Sequence, residues 1–269
     1  MLRPDTGVDS GWDLRLAAPA RRGRAAKLVC LLSHIGAGCL LALLFFRGGS
    51  DAWNIRQRAI YRWWHGRLCD ILDISVRVSG RPGREPVLLV SNHVSWLDIP
   101  VLAGVQPVGF LAKREVRDWP VVGWLCRRVR TRFIARGSRK SSANALGGLV
   151  DDLKTGRSMA VFPEGTTHEG SELGNYHPLV FQSCIDAGVK VQPVVLFYAD
   201  HRGRHLPEAA FIGDDGFVPH LWRMLSLSGT RVYVHFAPVI TPEGETRRDL
   251  ARESRRIAAE RLGGFLGGD

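Results

Sequence analysis

Cysteine is scarce in this chain and carries no pattern. Cys30, Cys39, Cys69, Cys126 and Cys184 form no Cys-x-x-Cys pair and no metal-ligand spacing. That argues against structural zinc and against a disulfide framework, and it suits a reducing compartment. The histidines are equally unpatterned: His168, His177, His201 and His205 lack a His-Glu-x-x-His context, so they read as loop histidines and no metal is expected. A serine-hydrolase elbow is missing too. Gly156-Arg157-Ser158-Met159-Ala160 lacks the final glycine and leads into a strand rather than out of one. Acidic residues are the minority charge, 26 Asp and Glu against 37 Lys and Arg, which leaves +11. Such a balance suits anionic partners without choosing among them. No recognised nucleic-acid motif accompanies the charge, so no nucleic-acid partner is expected. No repeat or low-complexity tract appears in the 269 residues, and 45% hydrophobic content with 23% charge argues against disorder over most of them.

What is present divides into four stretches. Residues 1–27 hold Pro, Gly, Ala and the basic cluster Arg21, Arg22, Arg24 and Lys27, and read as a flexible basic lead. Leu28 to Phe46 is apolar apart from Ser33 and His34, and as a helix it would match roughly the thickness of a bilayer's hydrocarbon core. No Ala-x-Ala site follows, so a cleaved signal peptide is set aside. Beyond it Ile60, Trp64, Leu68, Ile71 and Leu72 recur at helical spacing beside Arg58, Arg62 and Arg67. Trp53, Trp63 and Trp64 with those arginines suit a membrane interface, although packing on the protein core would also accept them. Residues 28–74 thus read as a membrane-embedded or interfacial helical pair. Basic residues flank the apolar run on both sides, which leaves a crossing and an in-plane hairpin both open.

Residues 75–244 alternate short β-like runs with helical stretches. PVLLVS at 86–91, SMAVF at 158–162, VKVQPVVLF at 189–197 and RVYVHFAPVI at 231–240 lack strict polar alternation, as strands buried on both faces do. The expectation is an α/β domain with a mainly parallel sheet flanked by helices. Residues 245–269 form a charged C-terminal helix with a solvated face.

Two segments carry chemistry. In VLLVSNHVSWLDIP a buried strand runs into Asn92 and His93, with Asp98 five residues beyond the histidine. In one regular helix that spacing would set the side chains roughly 140° apart, so His93 belongs to the strand-to-helix loop. From the following turns Asp98 can reach back to one imidazole nitrogen, fix the tautomer and leave the other nitrogen to accept a proton. The plain alternative is a loop histidine and a first-turn acid favoured by the helix dipole. In MAVFPEGTTHEG a second strand ends at Phe162 and a turn follows. Gly165 permits close backbone approach, and Glu164, Thr166 and Thr167 offer polar contacts to a small hydroxylated ligand. In a parallel sheet both loops emerge at one edge.

These residues resemble the 1-acylglycerol-3-phosphate (lysophosphatidic acid) acyltransferases of the glycerolipid acyltransferase group. Asn92-His93-x-x-x-x-Asp98 resembles the catalytic block, and Phe162-Pro163-Glu164-Gly165-Thr166 an acceptor-binding block. FLAKREV at 110–116 resembles a segment that puts a lysine, here Lys113, near phosphate. Phe133-Ile134-x-Arg136 resembles the remaining acceptor block, and Val191-Gln192-Pro193-Val194 the apolar proline-containing block. The resemblance implies that His93 takes a proton from an acceptor hydroxyl as it attacks an acyl thioester, with Asp98 orienting the imidazole. It implies substrate-binding roles for Lys113, Arg136, Glu164, Gly165, Thr166 and Thr167. Acyl-CoA or acyl carrier protein would be the co-substrate without a further cofactor, the acceptor a membrane lipid, and the place the cytosolic face of the membrane, the inner one in a bacterium. Phosphatidic acid for phospholipid synthesis would be the product. Two departures bear on the acceptor: Thr167 stands where the family often has arginine or serine, and Arg130 where many members carry glycine. Losing a guanidinium weakens the case for a bare phosphomonoester, which Lys113, Arg136 and Arg132 would have to offset. Lyso-ornithine lipid or another lysophospholipid is the alternative acceptor, and a noncatalytic membrane-surface adaptor the distant alternative.

Overall fold

The computed structural model describes residues 22–46, 53–84, 86–135 and 139–267. In chain order the elements are α1 (Arg24–Phe45), α2 (Ile55–Ile71), β1 (Ile74–Gly80), β2 (Val87–Ser91), α3 (Asp98–Val105), β3 (Gly109–Lys113), α4 (Val122–Arg128), β4 (Arg132–Ile134), α5 (Arg139–Lys154), β5 (Met159–Val161), α6 (Gln182–Ala187), β6 (Lys190–Ala199), α7 (Phe217–Ser226), β7 (Thr230–Phe236) and α8 (Arg247–Leu266).

The strands form one seven-stranded sheet in the order β1-β7-β6-β2-β5-β3-β4. Strands β6, β2, β5, β3 and β4 run parallel. Strand β7 turns against β6, and β1 pairs parallel with β7. The class is the mainly parallel, helix-flanked α/β sheet expected from the apolar runs. Those runs are apolar because both faces are covered. Leu89 faces a cluster that holds Tyr61 of α2, Val101 of α3 and Met224 of α7, while Leu88 and Val90 face Leu149 of α5, Cys184 of α6 and Leu250 of α8. All of Val87 to Val90 are fully buried, and each such side chain contributes about 1.5–3 kcal/mol. The edge strand β1 and its neighbour β7 alternate buried with half-buried residues instead. Because five strands point one way, the loops after β2, β3, β4, β5 and β6 all open at the same sheet edge.

Helices α1 and α2 form an antiparallel hairpin. A capping box starts α2: the Asn54 side chain accepts the Gln57 N–H at 2.9 Å and Gln57 accepts the Asn54 N–H at 3.0 Å. His34, the polar interruption of the apolar run, is buried against α2, with Nε2 2.9 Å from the Trp64 carbonyl and its ring stacked on the indole at 4.8 Å. Helix α1 starts at Arg24, within the stretch expected as a lead, and residues 1–21 lie outside the described residues. Lys27 is 1% exposed and donates to the Leu227 carbonyl at 2.6 Å, which ties α1 to the end of α7.

The hairpin corrects one expectation. Of the three tryptophans assigned to a membrane interface, only Trp63 is exposed, at 56%. Trp53 is buried against Phe46 and Tyr61 with Arg157 over its ring, and Trp64 packs on His34. Core packing explains these two because the second helix faces α3 and the sheet along its apolar stripe. A Cβ on Gly38 would lie 2.5 Å from the Trp64 indole nitrogen. Gly38→Leu is therefore expected to wedge the hairpin apart and destabilise the fold by about 1–3 kcal/mol, read as a lower thermal midpoint in detergent solution.

Candidate active site

Strand β2 ends at Ser91, and Asn92 extends its ladder by side chain. Asn92 Nδ2 donates to the Leu196 carbonyl at 2.9 Å and Oδ1 accepts the Leu196 N–H at 2.8 Å, so β2 stays clamped to β6 where its own pairing stops. The chain then turns at His93–Ser95 and enters α3 at Asp98. That turn folds the carboxylate back over the residues before it: Asp98 Oδ2 accepts the N–H groups of Val94 at 2.8 Å and Ser95 at 3.1 Å. The same oxygen lies 2.7 Å from His93 Nδ1. An ionised carboxylate only accepts, so Nδ1 carries the proton and Nε2 presents its lone pair. Among the described residues no group hydrogen-bonds Nε2. The His93 side chain is 20% exposed while that of Asp98 is fully buried. Phe162, at the end of β5, stacks on the imidazole at 3.9 Å.

Asp98 has a further partner that the sequence reading missed. Tyr198 in β6 donates its hydroxyl to Asp98 Oδ1 at 2.6 Å. Burial, and then the Asp98 charge, push the phenol far above its ordinary range, so it remains a donor. The available signal was a lone tyrosine in the otherwise apolar VVLFYA run, since a buried Tyr hydroxyl needs an acceptor. Tyr198→Phe is expected to orphan Oδ1, lower turnover about tenfold and cost about 1.5–3 kcal/mol of stability. Initial rates and denaturant unfolding of the purified variant check both.

The β5 loop sits beside this pair, though its residues are used differently than expected. Glu164, expected as a contact for the ligand, has a side chain only 1% exposed. Its Oε1 accepts the His93 N–H at 3.1 Å, and its Oε2 accepts the Gly174 N–H at 2.9 Å and lies 3.2 Å from His168 Nε2. Glu164 therefore straps the His93 loop to its own and closes that loop on itself. Burial pushes its carboxyl up, opposed by those N–H groups and by His168. Gly165 takes φ +69 in the turn, a left-handed conformation that favours glycine. Thr166 is exposed beside it. Thr167 donates its hydroxyl to the Phe211 carbonyl, and the Phe211 N–H in turn reaches the Val94 carbonyl at 2.9 Å.

The basic candidates separate. Lys113 ends β3 at the same sheet edge as His93. Arg136 lies outside the described residues. Arg132, considered as a phosphate contact, is bound to Asp152 through Nε at 2.6 Å and Nη2 at 3.1 Å, so its guanidinium serves the fold. Arg130 holds φ +59, a left-handed backbone that favours glycine.

Known proteins resemble this chain in sequence and in fold. An acyltransferase family model matches residues 75–197, the span from β1 into β6 that holds the His93 and Glu164 loops. A lyso-ornithine lipid O-acyltransferase of Pseudomonas aeruginosa is 41% identical over 87% of this chain and 90% of its own length. A 1-acyl-sn-glycerol-3-phosphate acyltransferase of Neisseria meningitidis is 36% identical over 81% of this chain and 90% of its own length. In fold, the 1-acyl-sn-glycerophosphate acyltransferase PlsC from Thermotoga maritima superposes with a TM-score of 0.66 at 22% identity, over 90% of this chain and 94% of that one. The chain belongs to the acyltransferase family, among the O-acyltransferases of 1-acylglycerol-3-phosphate and related lysolipids.

Proposed function

We propose that the protein moves a fatty acyl group from a thioester, acyl-CoA or acyl carrier protein, onto the free hydroxyl of a lysolipid, with His93 as general base. The observation that carries this reading is the 2.7 Å contact that fixes Nδ1 on Asp98 and leaves Nε2 for the substrate. Nε2 takes the hydroxyl proton as the oxygen attacks the thioester carbonyl. The tetrahedral intermediate then collapses, the carbon–sulfur bond breaks and the imidazolium returns the proton to the leaving thiolate. Asp98 stabilises the imidazolium and holds its orientation, and no covalent enzyme intermediate is needed. General-base help is worth about 10² to 10⁴ in rate, so the remaining acceleration rests on holding two substrates together and on oxyanion stabilisation.

Of the two acceptors, lyso-ornithine lipid is favoured. Thr167 supplies a hydroxyl where a guanidinium would suit phosphate, Arg132 is committed to Asp152, and the relative at 41% identity bears that acceptor in its name. Lysophosphatidate is the second reading, supported by Lys113 at the site edge and by the 36% identical relative. Helices α1 and α2 would hold the enzyme at the cytosolic face of the membrane, where the thioesters are made. Assaying the purified enzyme with acyl-CoA or acyl carrier protein against both acceptors tests the reading. A higher kcat/KM for lyso-ornithine lipid supports it, a preference for lysophosphatidate reverses the order of the two acceptors, and no transfer to either defeats it.

A further inference from the structure

Helix α7 wears its apolar residues on the wrong side for a water-facing helix. Its inner face is accounted for: His220, Met224 and Leu225 are buried, and Phe217 packs between Trp96 and Trp119 at 5.2 and 5.0 Å. The outer stripe runs Val218, Pro219, Trp222 and Ser226, residues that share one face by helical spacing and carry no charge. Val218 is 72% exposed and Trp222 50%.

This stripe adjoins a second one. Helix α1 buries Leu31, His34, Gly38 and Ala42 against the protein and turns Val29, Leu32, Leu40, Leu43 and Leu44 outward, 39–63% exposed. Its 22 residues make a line of about 33 Å. The two helices meet where Arg24, in the first turn of α1, lies over the Trp222 ring at 5.0 Å and where Lys27 bonds the Leu227 carbonyl just after α7. An arginine over an indole occurs in the core as well, at Trp53, but Trp222 is half exposed, which suits the lipid headgroup boundary, where the indole meets the chains and the guanidinium meets phosphate.

We infer that α7 is a second membrane-docking element, seated with the outer stripe of α1 in the interface of a bilayer that contains anionic phospholipid. Continuity of the two stripes selects a broad apolar phase over a small partner, and the +11 net charge selects an anionic surface. Docking there also brings the catalytic loop to the lipid. Trp96, three residues after His93, donates to His220 of α7 at 2.9 Å and meets Phe217, so the loop rides on the docked helix. The effect on lipid-borne acceptor rests on the acyltransferase reading above, whereas the docking itself does not.

Two measurements on the full chain separate them. In vesicles of phosphatidylglycerol and phosphatidylcholine with chains brominated near the headgroup, part of the tryptophan emission is quenched, and Trp222→Phe is expected to remove a share of that quenchable emission. An unchanged quenchable share overturns the proposal and leaves Trp222 facing water or a soluble partner. In the second arm, the double variant Val218→Glu with Trp222→Glu is expected to raise the apparent KM for vesicle-borne lysolipid about tenfold, while kcat on detergent-dispersed lysolipid stays at the wild-type value. An equal loss in both formats overturns it, because α7 would then act only on the fold of the catalytic loop. Quenching by Trp222 in a protein without acyl transfer would sustain the docking and defeat the catalytic reading.

Discussion

His93→Ala is expected to reduce acyl transfer by about 10² to 10⁴, the worth of a positioned base, with the protein still folded. The side chain is 20% exposed and bonds Asp98, while the Glu164 strap holds the backbone N–H, so removing the imidazole leaves the sheet, the Asn92 clamp and that strap in place. Its ring stacks on Phe162, and the loss of that stack is minor beside the loss of Nε2. Initial rates with saturating thioester and lysolipid, alongside circular dichroism of the same preparation, check the outcome. Wild-type turnover in a folded variant would take the histidine out of the reaction.

Asp98→Asn should be as damaging to catalysis and more damaging to the fold. The carboxylate accepts from four donors at once: His93 Nδ1, the N–H groups of Val94 and Ser95, and the Tyr198 hydroxyl. An amide has one oxygen to offer them and turns an NH₂ toward the others. If the amide nitrogen faces His93, the imidazole must accept through Nδ1 and place its proton on Nε2, which disables the base. A loss on the order of 10³ to 10⁴ in kcat is expected from the wrong tautomer, with about 1–3 kcal/mol of stability from the donor left unpaired. Asp98→Glu tests the geometry behind this, because the longer arm keeps the charge but cannot lie in the tight turn that receives both N–H groups. It is expected to recover less than a tenth of wild-type activity, in a rate assay run beside the Asn variant.

The sequence announced this pair because a short local segment builds it. A buried apolar strand, a loop histidine and an acid five residues on are close in the chain, and the strand's need for cover on both faces set the fold class. Tyr198 stands 100 residues from Asp98, and only the pairing of β2 with β6 brings it there. Glu164 and Thr167 were legible as a polar turn beside a strand end. Their use in bonding the chain to itself was not, since a polar side chain near a site looks the same whether its partner is a ligand or a buried N–H. The reversal of β7 against β6 was equally hidden, because an apolar run carries no mark of its direction. Trp53 and Trp64 misled for a related reason: Trp beside Arg suits a headgroup boundary and a helix-to-helix seam alike, and here His34, Tyr61 and Arg157 fill the second role. The outward residues of α7 were passed over because a ten-residue helix offers too few turns to stand out beside the long apolar run ahead of it.

The most direct test of base catalysis at His93 is a single-turnover experiment with radiolabelled acyl thioester and purified enzyme. With lysolipid present, label is expected to pass to the acceptor in one kinetic phase that vanishes in His93→Ala, and denatured protein taken at any time should carry none. Label held covalently on the protein before it reaches the lipid would contradict direct transfer, and an undiminished phase in the alanine variant would contradict the role of the imidazole.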